Sequence, residues 1–380
     1  MSKENKKKIL IIGGGYAGIS AMHKLKNNDD FKLTLIDTSQ KHLLQTHIHK
    51  YLSGHYNKDD ITFNHKKYCE ENNIEFICDE VTDINYEKNF LMTKEMKLIN
   101  YDYVIVATGG ISIFPKQIEN IVEYTKDIKK IDNLDYYRNK FFKILKSNPK
   151  NKTIVVVGGG VSGIQIACEY AYTIQNKGLN KEDFKVVLVE GMNTILPGMD
   201  QFLIKEAQER CSQLNIEIIT NLFASKILAD KIILSNNKEI PYDMLLFVIG
   251  SIGNSISHQN STIEENQRNQ LIVDDYYNIS NYKNAFAIGD IIQASDTKTN
   301  EPQAPTAQGA RMQAELVVKN IIRRNDNKKL IKNNIWNKGI LIDLGGPNFA
   351  VGRLFGFNLT GKIALLLKKL IYSLHSKKFN

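Results

Sequence analysis

Short, mostly apolar segments recur along the chain, and several of them run straight into glycines. In two places, 8–12 and 153–157, the glycines are followed by apolar residues at the spacing of a helix. Apolar runs of this length are typical of strands that are buried on both faces of a parallel sheet. The pattern therefore predicts an α/β fold in which tight glycine turns connect buried parallel strands to helices.

The first turn follows 8–12, precedes a helix predicted at 19–25, and reads Gly13-Gly14-Gly15-Tyr16-Ala17-Gly18. Its first glycine permits the tight turn, the third lets the backbone approach a pyrophosphate, and the last lets the helix pack closely on the strand. A strand predicted at 32–36 ends in Asp37, where a carboxylate that binds a ribose hydroxyl is expected. The segment therefore predicts a dinucleotide bound at a helix N-terminus.

The second turn follows 153–157 and reads Gly158-Gly159-Gly160-Val161-Ser162-Gly163. A helix is predicted at 164–172, and a strand at 185–189 ends in Glu190; we assign the extra residues between them to an inserted loop at 175–183. The Glu190 carboxylate would accept hydrogen bonds from a ribose 2′-hydroxyl and repel a 2′-phosphate, and no Arg or Lys follows in 191–197. The second turn therefore predicts NADH rather than NADPH.

Two further apolar strands end in small residues, 101–106 in Ala107-Thr108-Gly109 and 284–288 in Gly289-Asp290. Both ends resemble flavin-side motifs of the flavoprotein superfamily with two dinucleotide-binding domains. The resemblance extends from about Lys8 to Arg324. It implies that the first turn binds FAD, that the Asp290 side chain hydrogen-bonds the ribityl chain, and that one Rossmann-like domain is inserted in the other.

Within that superfamily the chain resembles the type II NADH dehydrogenases, the single-subunit NADH:quinone oxidoreductases. The resemblance is carried by His42-Leu43-Leu44-Gln45, by Ile195-Leu196-Pro197 and above all by 304–314, which is similar to the family's A-Q-x-A-x-x-Q quinone-site signature. It implies hydride transfer from NADH to FAD and then transfer of two electrons to a membrane quinone, without proton pumping.

The motifs and the resemblance together give the expected binding residues. Those expected at FAD are Gly13, Gly14, Gly15, Tyr16, Ala17, Gly18, Asp37, Thr38, His42, Val81, Ala107, Thr108, Gly109, Gly289, Asp290, Ala307 and Gln308. Those expected at NADH are Gly158, Gly160, Gly163, Glu190 and Gly250. Gln308 and Gln313 are expected at the quinone.

The expected domains follow from the same motifs. Residues 1–115 and 271–335 form a discontinuous FAD-binding domain, and 116–270 form an NADH-binding domain with a connecting segment at 116–150. Residues 336–380 form a C-terminal extension for membrane association and the quinone site.

The quinone-site segment also has a physical interpretation. Pro305 and Thr306 are typical of a helix start, and the helix is predicted to continue to about Ile322. Its N-terminus would point at the pyrimidine edge of the flavin, where the helix dipole stabilises negative charge. The amide of Gln308 could then hydrogen-bond a quinone carbonyl. The alternative is a capped helix that carries two surface glutamines.

One position departs from the family. The resemblance leads us to expect Glu two residues after the last glycine of the second turn, where it has been given a role in proton or charge handling. This chain has Gln165, which can hold nicotinamide or quinone by hydrogen bonds but cannot relay a proton as a carboxylate does. Gln165 and Gln308 are the two catalytic candidates, and Glu169, one turn after Gln165, is an open substitute for the missing Glu.

The cysteines and histidines add little chemistry. Cys69, Cys78, Cys168 and Cys211 form no C-x-x-C pair, so free thiols of a cytoplasmic protein are favoured. A metal site is the alternative for the clustered histidines His42, His47, His49 and His55, but no Cys or acidic residue is interleaved at ligand spacing. We expect no metal, and we expect His42 at FAD.

Charge is concentrated at the C-terminal end. From Leu344 onward the chain has no Asp or Glu and carries +6, which leaves +3 of the net charge of +9 for the rest. From Thr360, apolar residues fall on one helical face: Ile363, Leu366, Leu367, Leu370, Ile371 and Leu374. The polar side has Lys362, Lys368, Lys369, His375 and Ser376, while Leu365 and Tyr372 fit less well.

Such a basic amphipathic C-terminal helix predicts binding to an anionic membrane surface. The alternative is docking on the protein's own core or on a second subunit in a homodimer. We expect peripheral attachment at the cytoplasmic face of the cell membrane, and no nucleic acid as partner. No segment has about 18 consecutive apolar residues that would predict a spanning helix.

Other functions remain open. A sulfide:quinone oxidoreductase needs cysteines on both sides of the flavin, including one late in the chain, and none follows Cys211. Disulfide reductases need C-x-x-C or C-x₄-C, which are absent. A soluble NADH:acceptor reductase that uses the tail to dock a protein, or a redox-sensing protein that retains its cofactors without turnover, are the remaining alternatives.

Overall fold

The two larger parallel sheets are each built around one strand that leads into a glycine-rich turn. The computed structural model describes residues 6–147, 150–179, 182–259, 263–303 and 305–376, and the side chains of the last helix as far as Ile371. The predicted α/β fold with Rossmann-like sheets and a C-terminal helix is confirmed.

The strands, in chain order, are β1 (Lys7–Ile12), β2 (Phe31–Asp37), β3 (Lys41–Leu43), β4 (Thr62–Asn64), β5 (Glu75–Cys78), β6 (Val81–Asn85), β7 (Phe90–Thr93), β8 (Leu98–Asn100), β9 (Tyr103–Val106), β10 (Gly110–Ser112), β11 (Lys152–Val157), β12 (Phe184–Val189), β13 (Ile216–Ile219), β14 (Ala224–Ile227), β15 (Lys231–Leu234), β16 (Glu239–Pro241), β17 (Met244–Phe247), β18 (Ser251–Gly253), β19 (Ser257–His258), β20 (Leu271–Ile272), β21 (Ala285–Ala287), β22 (Ile292–Gln293), β23 (Gly339–Asp343), β24 (Ala350–Leu354) and β25 (Phe357–Thr360). The helices are α1 (Tyr16–Leu25), α2 (Ile48–Leu52), α3 (His65–Glu71), α4 (Ile121–Tyr124), α5 (Ile131–Lys146), α6 (Val161–Asn176), α7 (Gln201–Gln213), α8 (Ala307–Asn325) and α9 (Gly361–Ser376), with 3₁₀ turns at Gln45–His47 and Asp59–Ile61.

The first parallel sheet has the strand order β21-β9-β1-β2-β5. Apart from the edge strand β5, its strands are mostly apolar and buried, and helices α1 and α8 pack together over the sheet. Strand β9 pairs in parallel with both β1 and β21. The three motifs that follow these strands therefore meet at one edge, where the carboxyl ends of the strands lie.

The second parallel sheet has the order β13-β12-β11-β17 and repeats this construction. Strands β11 and β12 pair in register from Lys152 and Phe184 onward. Helix α6 follows the second glycine turn and extends to Asn176, so the predicted inserted loop loses its first two residues to the helix. The polar side chains of Gln175 and Asn176 are compatible with the exposed last turn of a helix, which is why the sequence did not separate them from a loop.

The two sheets are joined by strands that cross between them. Strand β10 pairs with β18 in an antiparallel ribbon, and β19 pairs in parallel with β6 of the first region. The chain therefore already pairs with a strand of the N-terminal part, β6, before residue 271. Helix α2, in turn, packs on α5 and α6 of the second region, and its Leu52 is fully buried there.

The C-terminal extension is an antiparallel sheet, β23-β24-β25, followed by α9. Helix α9 buries Ala364 and Leu365 against β24 and leaves most of the predicted apolar face exposed: Ile363, Leu366, Leu370 and Ile371. Among the described residues no helix is long and apolar enough to cross a membrane.

The prediction for one side chain of α9 is wrong. Lys368, predicted on the polar face, is buried and pairs with Asp343 of β23, with 3.1 Å between Nζ and Oδ1. A helical pattern shows which residues share a face but not which face the protein covers. Leu365, which fitted the pattern less well, is the leucine that docks the helix. The side chains of Tyr372, Leu374, His375 and Ser376 lie outside the described residues.

Candidate functional site

The glycines of the two turns have the same conformations. Gly13 and Gly158 adopt positive φ angles of +97° and +111°, and a Cβ at either would collide with the backbone that follows the neighbouring strand. At Gly15 and Gly160, by contrast, a Cβ would meet nothing within 4 Å. Each turn is therefore closed on its sheet side and open on the side where a pyrophosphate would approach.

The first cradle consists of 13–18 and 37–39. The Asp37 carboxylate accepts hydrogen bonds from the backbone N–H of Gly14 at 2.5 Å and of Ser39 at 2.7 Å. The backbone oxygen of Asp37 accepts from the N–H of Asp79 at 3.1 Å. The carboxylate is thus held at the carboxyl end of β2, next to the open side of the glycine turn.

The second cradle, 158–163 with 190–192, is built in the same way. The Glu190 carboxylate accepts from the N–H of Gly159 at 2.6 Å and of Met192 at 2.8 Å, and the Glu190 backbone oxygen accepts from the N–H of Leu222 at 3.4 Å. An open glycine turn beside a fixed carboxylate suits the pyrophosphate and ribose of a dinucleotide. Both cradles therefore fit such a ligand.

The first cradle has one feature that the sequence analysis missed. The buried ring of His65, the first residue of α3, contacts the Gly14 backbone oxygen through Nε2 at 2.8 Å and the Ser39 backbone oxygen through Nδ1 at 2.9 Å. His65 thus bridges the two loops of the first cradle. No sequence pattern relates residue 65 to the glycine turn; only the pairing of β3 with β4 brings them together.

The predicted flavin-side motifs meet at the edge of the first sheet. A Cβ at Gly110 would lie 3.4 Å from the Cβ of Asp290, and the Thr108 hydroxyl donates to the Asn254 backbone oxygen at 2.8 Å. The Lys129 ammonium, which the sequence analysis missed, donates to the Gly110 oxygen at 2.9 Å. Burial raises the pKa of the Asp290 carboxyl, and the nearby charge of Lys129 opposes that rise.

Helix α8 begins where the sequence predicts. Thr306 caps it by accepting a hydrogen bond from the N–H of Gly309 at 3.0 Å. A small cavity below this N-terminus is lined by polar groups of Asp290, Gln303, Thr306 and Gln313. The cavity joins the Gly289–Asp290 turn to the start of α8, the two places expected at the flavin.

The two glutamines of the quinone signature have different surroundings. The half-buried Gln308 accepts a hydrogen bond from the N–H of Lys338 at 3.3 Å through its side-chain oxygen. The buried Gln313 accepts from the N–H of Gly289 at 2.7 Å and donates to the Gln303 side chain at 2.8 Å. The Gln313 amide therefore positions the Gly289 turn, and its contact with a quinone stays a prediction.

Gln165 lies buried near the start of α6, directly after the second glycine turn. Glu169, one turn later, is fully buried. It forms an ion pair with Lys50 and contacts His55, with 2.9 Å between Nδ1 and Oε2. Burial alone would raise the pKa of the Glu169 carboxyl, but the His55 hydrogen bond and the Lys50 charge hold it below its usual value. Glu169 therefore stays charged and is committed to a buried network.

The histidine cluster does not converge. His42 packs edge-on against Tyr16, with 4.9 Å between ring centroids, and His49 contacts Asp343 at 3.1 Å. Burial lowers the pKa of His47 to about 4, so its ring is neutral at pH 7. Among the described residues no group of three or more His, Cys, Asp or Glu could hold a metal ion.

The remaining predicted residues lie around the cradles. Tyr16 hydrogen-bonds the Thr46 hydroxyl at 2.8 Å, Thr38 is exposed beside Asp37, and Val81 is the buried first residue of β6. Ala17 and Ala307 lie in the first turns of α1 and α8. Gly250, with a φ of +117°, follows β17 at the open end of the second sheet.

All four cysteines are free. Cys168 and Cys211 are buried with their sulfurs 4.0 Å apart, and their mutual contact together with burial raises the pKa of the Cys168 thiol well above its usual value. The prediction of free thiols is confirmed, and the sequence has neither the C-x-x-C nor the C-x₄-C motif of disulfide reductases.

Comparison with known proteins agrees with this geometry. A family model described as pyridine nucleotide-disulphide oxidoreductase matches residues 7–314. The type II NADH:quinone oxidoreductase of Staphylococcus aureus (strain NCTC 8325 / PS 47) is 24% identical and is matched over 97% of this chain and 94% of its own length. The NADH dehydrogenase-like protein YutJ of Bacillus subtilis (strain 168) is 23% identical over 95% of this chain and 96% of its own length.

Solved structures show the same fold. NDH2 from Plasmodium falciparum in complex with NADH superposes with a TM-score of 0.82 at 20% identity, over 97% of this chain and 94% of that one. The sulfide:quinone oxidoreductase from Aquifex aeolicus superposes with a TM-score of 0.83 at 21% identity, over 98% and 91%.

The predicted enzyme class, and the predicted use of FAD with NADH, agree with the relatives that match the chain over nearly its whole length. The resemblance to type II NADH dehydrogenases is confirmed, and the chain belongs to the pyridine nucleotide-disulphide oxidoreductase family.

Proposed function

We propose that this protein oxidises NADH and reduces a quinone at a membrane surface, without moving protons across the membrane. The observation that carries the proposal is the pair of matched cradles, in which Asp37 and Glu190 are held by equivalent backbone amides. One chain thus provides two dinucleotide sites of the same construction. The names of its curated relatives supply the donor and acceptor.

FAD, when bound, supplies the chemistry of accepting hydride and passing on electrons. The first cradle and Asp290 bind and orient it, while Glu190 binds the adenosine ribose of NADH and disfavours NADPH. The N-terminus of α8 stabilises negative charge near the cavity that it covers. Because the Lys338 N–H holds the Gln308 amide oxygen, the amide nitrogen is the group that would donate to a quinone carbonyl.

The acceptor assignment also depends on the C-terminal extension. Large apolar side chains are exposed on α9 and in the β24–β25 hairpin: Ile363, Leu366, Leu370 and Ile371 on the helix, Phe355 in the hairpin turn and Phe357 at the start of β25. Lys362 and Lys369 flank them, and the segment has no acidic residue. An exposed apolar face with basic neighbours is suited to an anionic lipid surface, from which a quinone would reach the protein.

Steady-state kinetics with a soluble quinone analogue test the proposal. The FAD-bound protein should oxidise NADH and reduce the quinone analogue. Gln308→Leu should raise the KM for the quinone about tenfold, because it removes one hydrogen bond. Gln208→Leu, an exposed position on α7, is the matched control and should leave the quinone KM unchanged. An active protein with an unaltered quinone KM in Gln308→Leu would remove Gln308 from the site, and absence of NADH:quinone turnover would overturn the function.

A further inference from the structure

Lys129 is a half-buried lysine beside the flavin-side motifs, and the proposed reaction gives it no task. It lies outside both motifs, in the loop between α4 and α5. Its ammonium donates at 2.9 Å to the backbone oxygen of Gly110, the residue that follows the turn Ala107-Thr108-Gly109. Lys129 therefore brings a positive charge to the edge of the first sheet where the flavin is expected.

The loop that carries Lys129 is anchored on strand β10. The Asp127 carboxylate accepts a hydrogen bond from the Ser112 hydroxyl at 2.5 Å and from the Lys129 N–H at 2.8 Å. The Asn133 side chain donates to the Asp127 backbone oxygen at 2.8 Å. Because β10 begins at Gly110 and ends at Ser112, the loop is held at both ends of this short strand. The position of the Lys129 ammonium is therefore set by contacts within the protein.

Two carboxylates act on the Lys129 ammonium. Burial lowers the pKa of Lys129, and the negative charges of Asp290 and Asp127 oppose that shift. Asp290 is close to the oxygen that Lys129 contacts, since a Cβ at Gly110 would lie 3.4 Å from the Asp290 Cβ. Burial raises the pKa of Asp290, and the charge of Lys129 opposes that rise. Lys129 thus balances the charge of the carboxylate that the family resemblance assigns to the ribityl chain.

Reduction of a flavin by hydride adds negative charge to it. A hydride from NADH carries two electrons and one proton, so the flavin gains one negative charge while the nicotinamide becomes positive. An unbalanced carboxylate nearby would oppose this gain, and a fixed cation would favour it. The influence of such a charge is larger in a half-buried site than on the surface, where water and salt screen it.

We propose that Lys129 is an electrostatic tuning residue, whose charge beside Gly110 and Asp290 stabilises the reduced form of the flavin. The proposal rests on the proposed function, since it takes FAD as the cofactor of the first cradle and NADH as its donor. It adds a second source of positive potential to that of the α8 N-terminus, on a different element of the chain. Lys129 acts through its charge and need not touch the flavin.

The midpoint potential of the bound flavin tests the proposal without turnover. It is measured by equilibrating the FAD-bound protein with a reference dye during slow reduction. Lys129→Met should shift the equilibrium against the reduced flavin about tenfold, which is about 30 mV for a two-electron couple. Lys129→Gln, which keeps a polar side chain without the charge, should give the same shift. Lys129→Arg should retain the parent potential, because the guanidinium keeps the charge.

Lys130→Met is the matched control, since Lys130 is the exposed neighbour in the chain. Solvent screens its charge, so its removal should leave the flavin potential unchanged. A parent-like potential in Lys129→Met and Lys129→Gln would overturn the proposal. A shift in Lys129→Arg equal to that in Lys129→Met would also overturn it, because the shape of the side chain and not its charge would then set the potential.

The reaction with NADH separates this proposal from the proposed function. In Lys129→Met, flavin bleaching at saturating NADH should be severalfold slower than in the parent, since the charge that develops on the flavin is less stabilised. A parent whose flavin NADH does not bleach would overturn the proposed function, while a potential shift in the Lys129 variants would still support the tuning role. A parent that oxidises NADH but has a potential insensitive to Lys129 would overturn the tuning role alone.

Discussion

Two backbone amides, those of Gly159 and Met192, hold the carboxylate of Glu190 at the end of β12. The side chain is therefore oriented before a nucleotide binds, and its negative charge lies where a 2′-phosphate would have to sit. A glutamine in place of Glu190 could not be held in the same way, because its side-chain NH₂ would face one of these two N–H donors.

Glu190→Gln should lower kcat/KM for NADH about tenfold, because the ribose loses a charge-assisted hydrogen bond. The kcat/KM for NADPH should fall less or rise, since a glutamine at this position would no longer repel the 2′-phosphate as the Glu190 carboxylate does. The ratio of the two values of kcat/KM is the measurement. Glu217→Gln, on the neighbouring strand β13, is the control and should leave the ratio unchanged; an equal loss for both nucleotides would contradict the role of the charge.

His65 distinguishes the first cradle from the second. Its ring contacts the backbone oxygens of Gly14 and Ser39. Beside the second cradle, by contrast, the apolar side chains of Met192 and Phe223 are exposed. The first cradle, whose two loops are joined by His65, is suited to an FAD that stays bound. The second cradle, which has exposed side chains beside it, is suited to NADH, which must bind and leave at every turnover.

His65→Phe keeps a ring in this packed position but removes the ring nitrogens that contact the Gly14 and Ser39 oxygens, so FAD should be released faster. The rate of increase in FAD fluorescence after dilution measures the release, and we expect it to rise about tenfold for the loss of one to two hydrogen bonds. His23→Phe, which removes the hydrogen bond to Tyr68 and lies outside the first cradle, serves as control. An FAD release rate equal to that of the parent would show that the bridge does not retain the cofactor.

At the scale of elements, α9 is attached by few groups. Ala364 and Leu365 pack on β24, and the Lys368 ammonium pairs with Asp343, which also contacts His49. Burial would raise the pKa of the Asp343 carboxyl, but the charge of Lys368 and the His49 hydrogen bond hold it below its usual value. The paired carboxylate therefore contributes to the attachment of the helix.

Lys368→Met should lower the free energy of unfolding by on the order of 3 kcal/mol, because it leaves a buried carboxylate without its cation. Since the folded pKa of Asp343 is depressed, its contribution is fully present above the unfolded value of about 4 and is lost as the pH falls below it. Urea unfolding should therefore show a large difference between variant and parent at pH 6 that narrows below pH 4. Lys369→Met, at an exposed position, should change little; a difference that widens with acid would contradict this account.

The exposed face of α9 makes a separate prediction about lipid. Leu366→Gln/Leu370→Gln should weaken binding to anionic liposomes at least about tenfold, because each leucine loses roughly 1.5–3 kcal/mol of burial. Co-sedimentation with vesicles measures the partition. Leu98→Gln, an exposed apolar position on the distant strand β8, is the control. Equal sedimentation of the double variant and the parent would mean that the face binds something other than lipid.

At the scale of the whole molecule, local patterns predicted what depends on local chemistry. The sequence predicted the strands that lead into both glycine turns, the acidic residues Asp37 at the end of β2 and Glu190 after β12, and the Thr306 cap. It could do so because strand, turn and helix signals follow one another along the chain. The family resemblance predicted that the chain returns to the first domain at Asp290, and the pairing of β9 with β21 is how the structure brings it there.

The features that the sequence did not predict are contacts between distant segments. The packing of α2 on the core of the second region, the bridge from His65 to Gly14, and the burial of Lys368 against Asp343 each join residues that no periodic pattern connects. The sequence alone does not distinguish a buried lysine or histidine from an exposed one. Its partner is fixed only when the sheets have formed and the loops between them have packed.

The most direct test of the central claim follows the two half-reactions of the FAD-bound protein by flavin absorbance without oxygen. NADH should bleach the flavin rapidly, NADPH much more slowly because of Glu190, and sulfide not at all. Addition of a soluble quinone analogue should then restore the absorbance. Bleaching by sulfide but not by NADH, or a flavin that NADH reduces and quinone fails to reoxidise, would contradict the account.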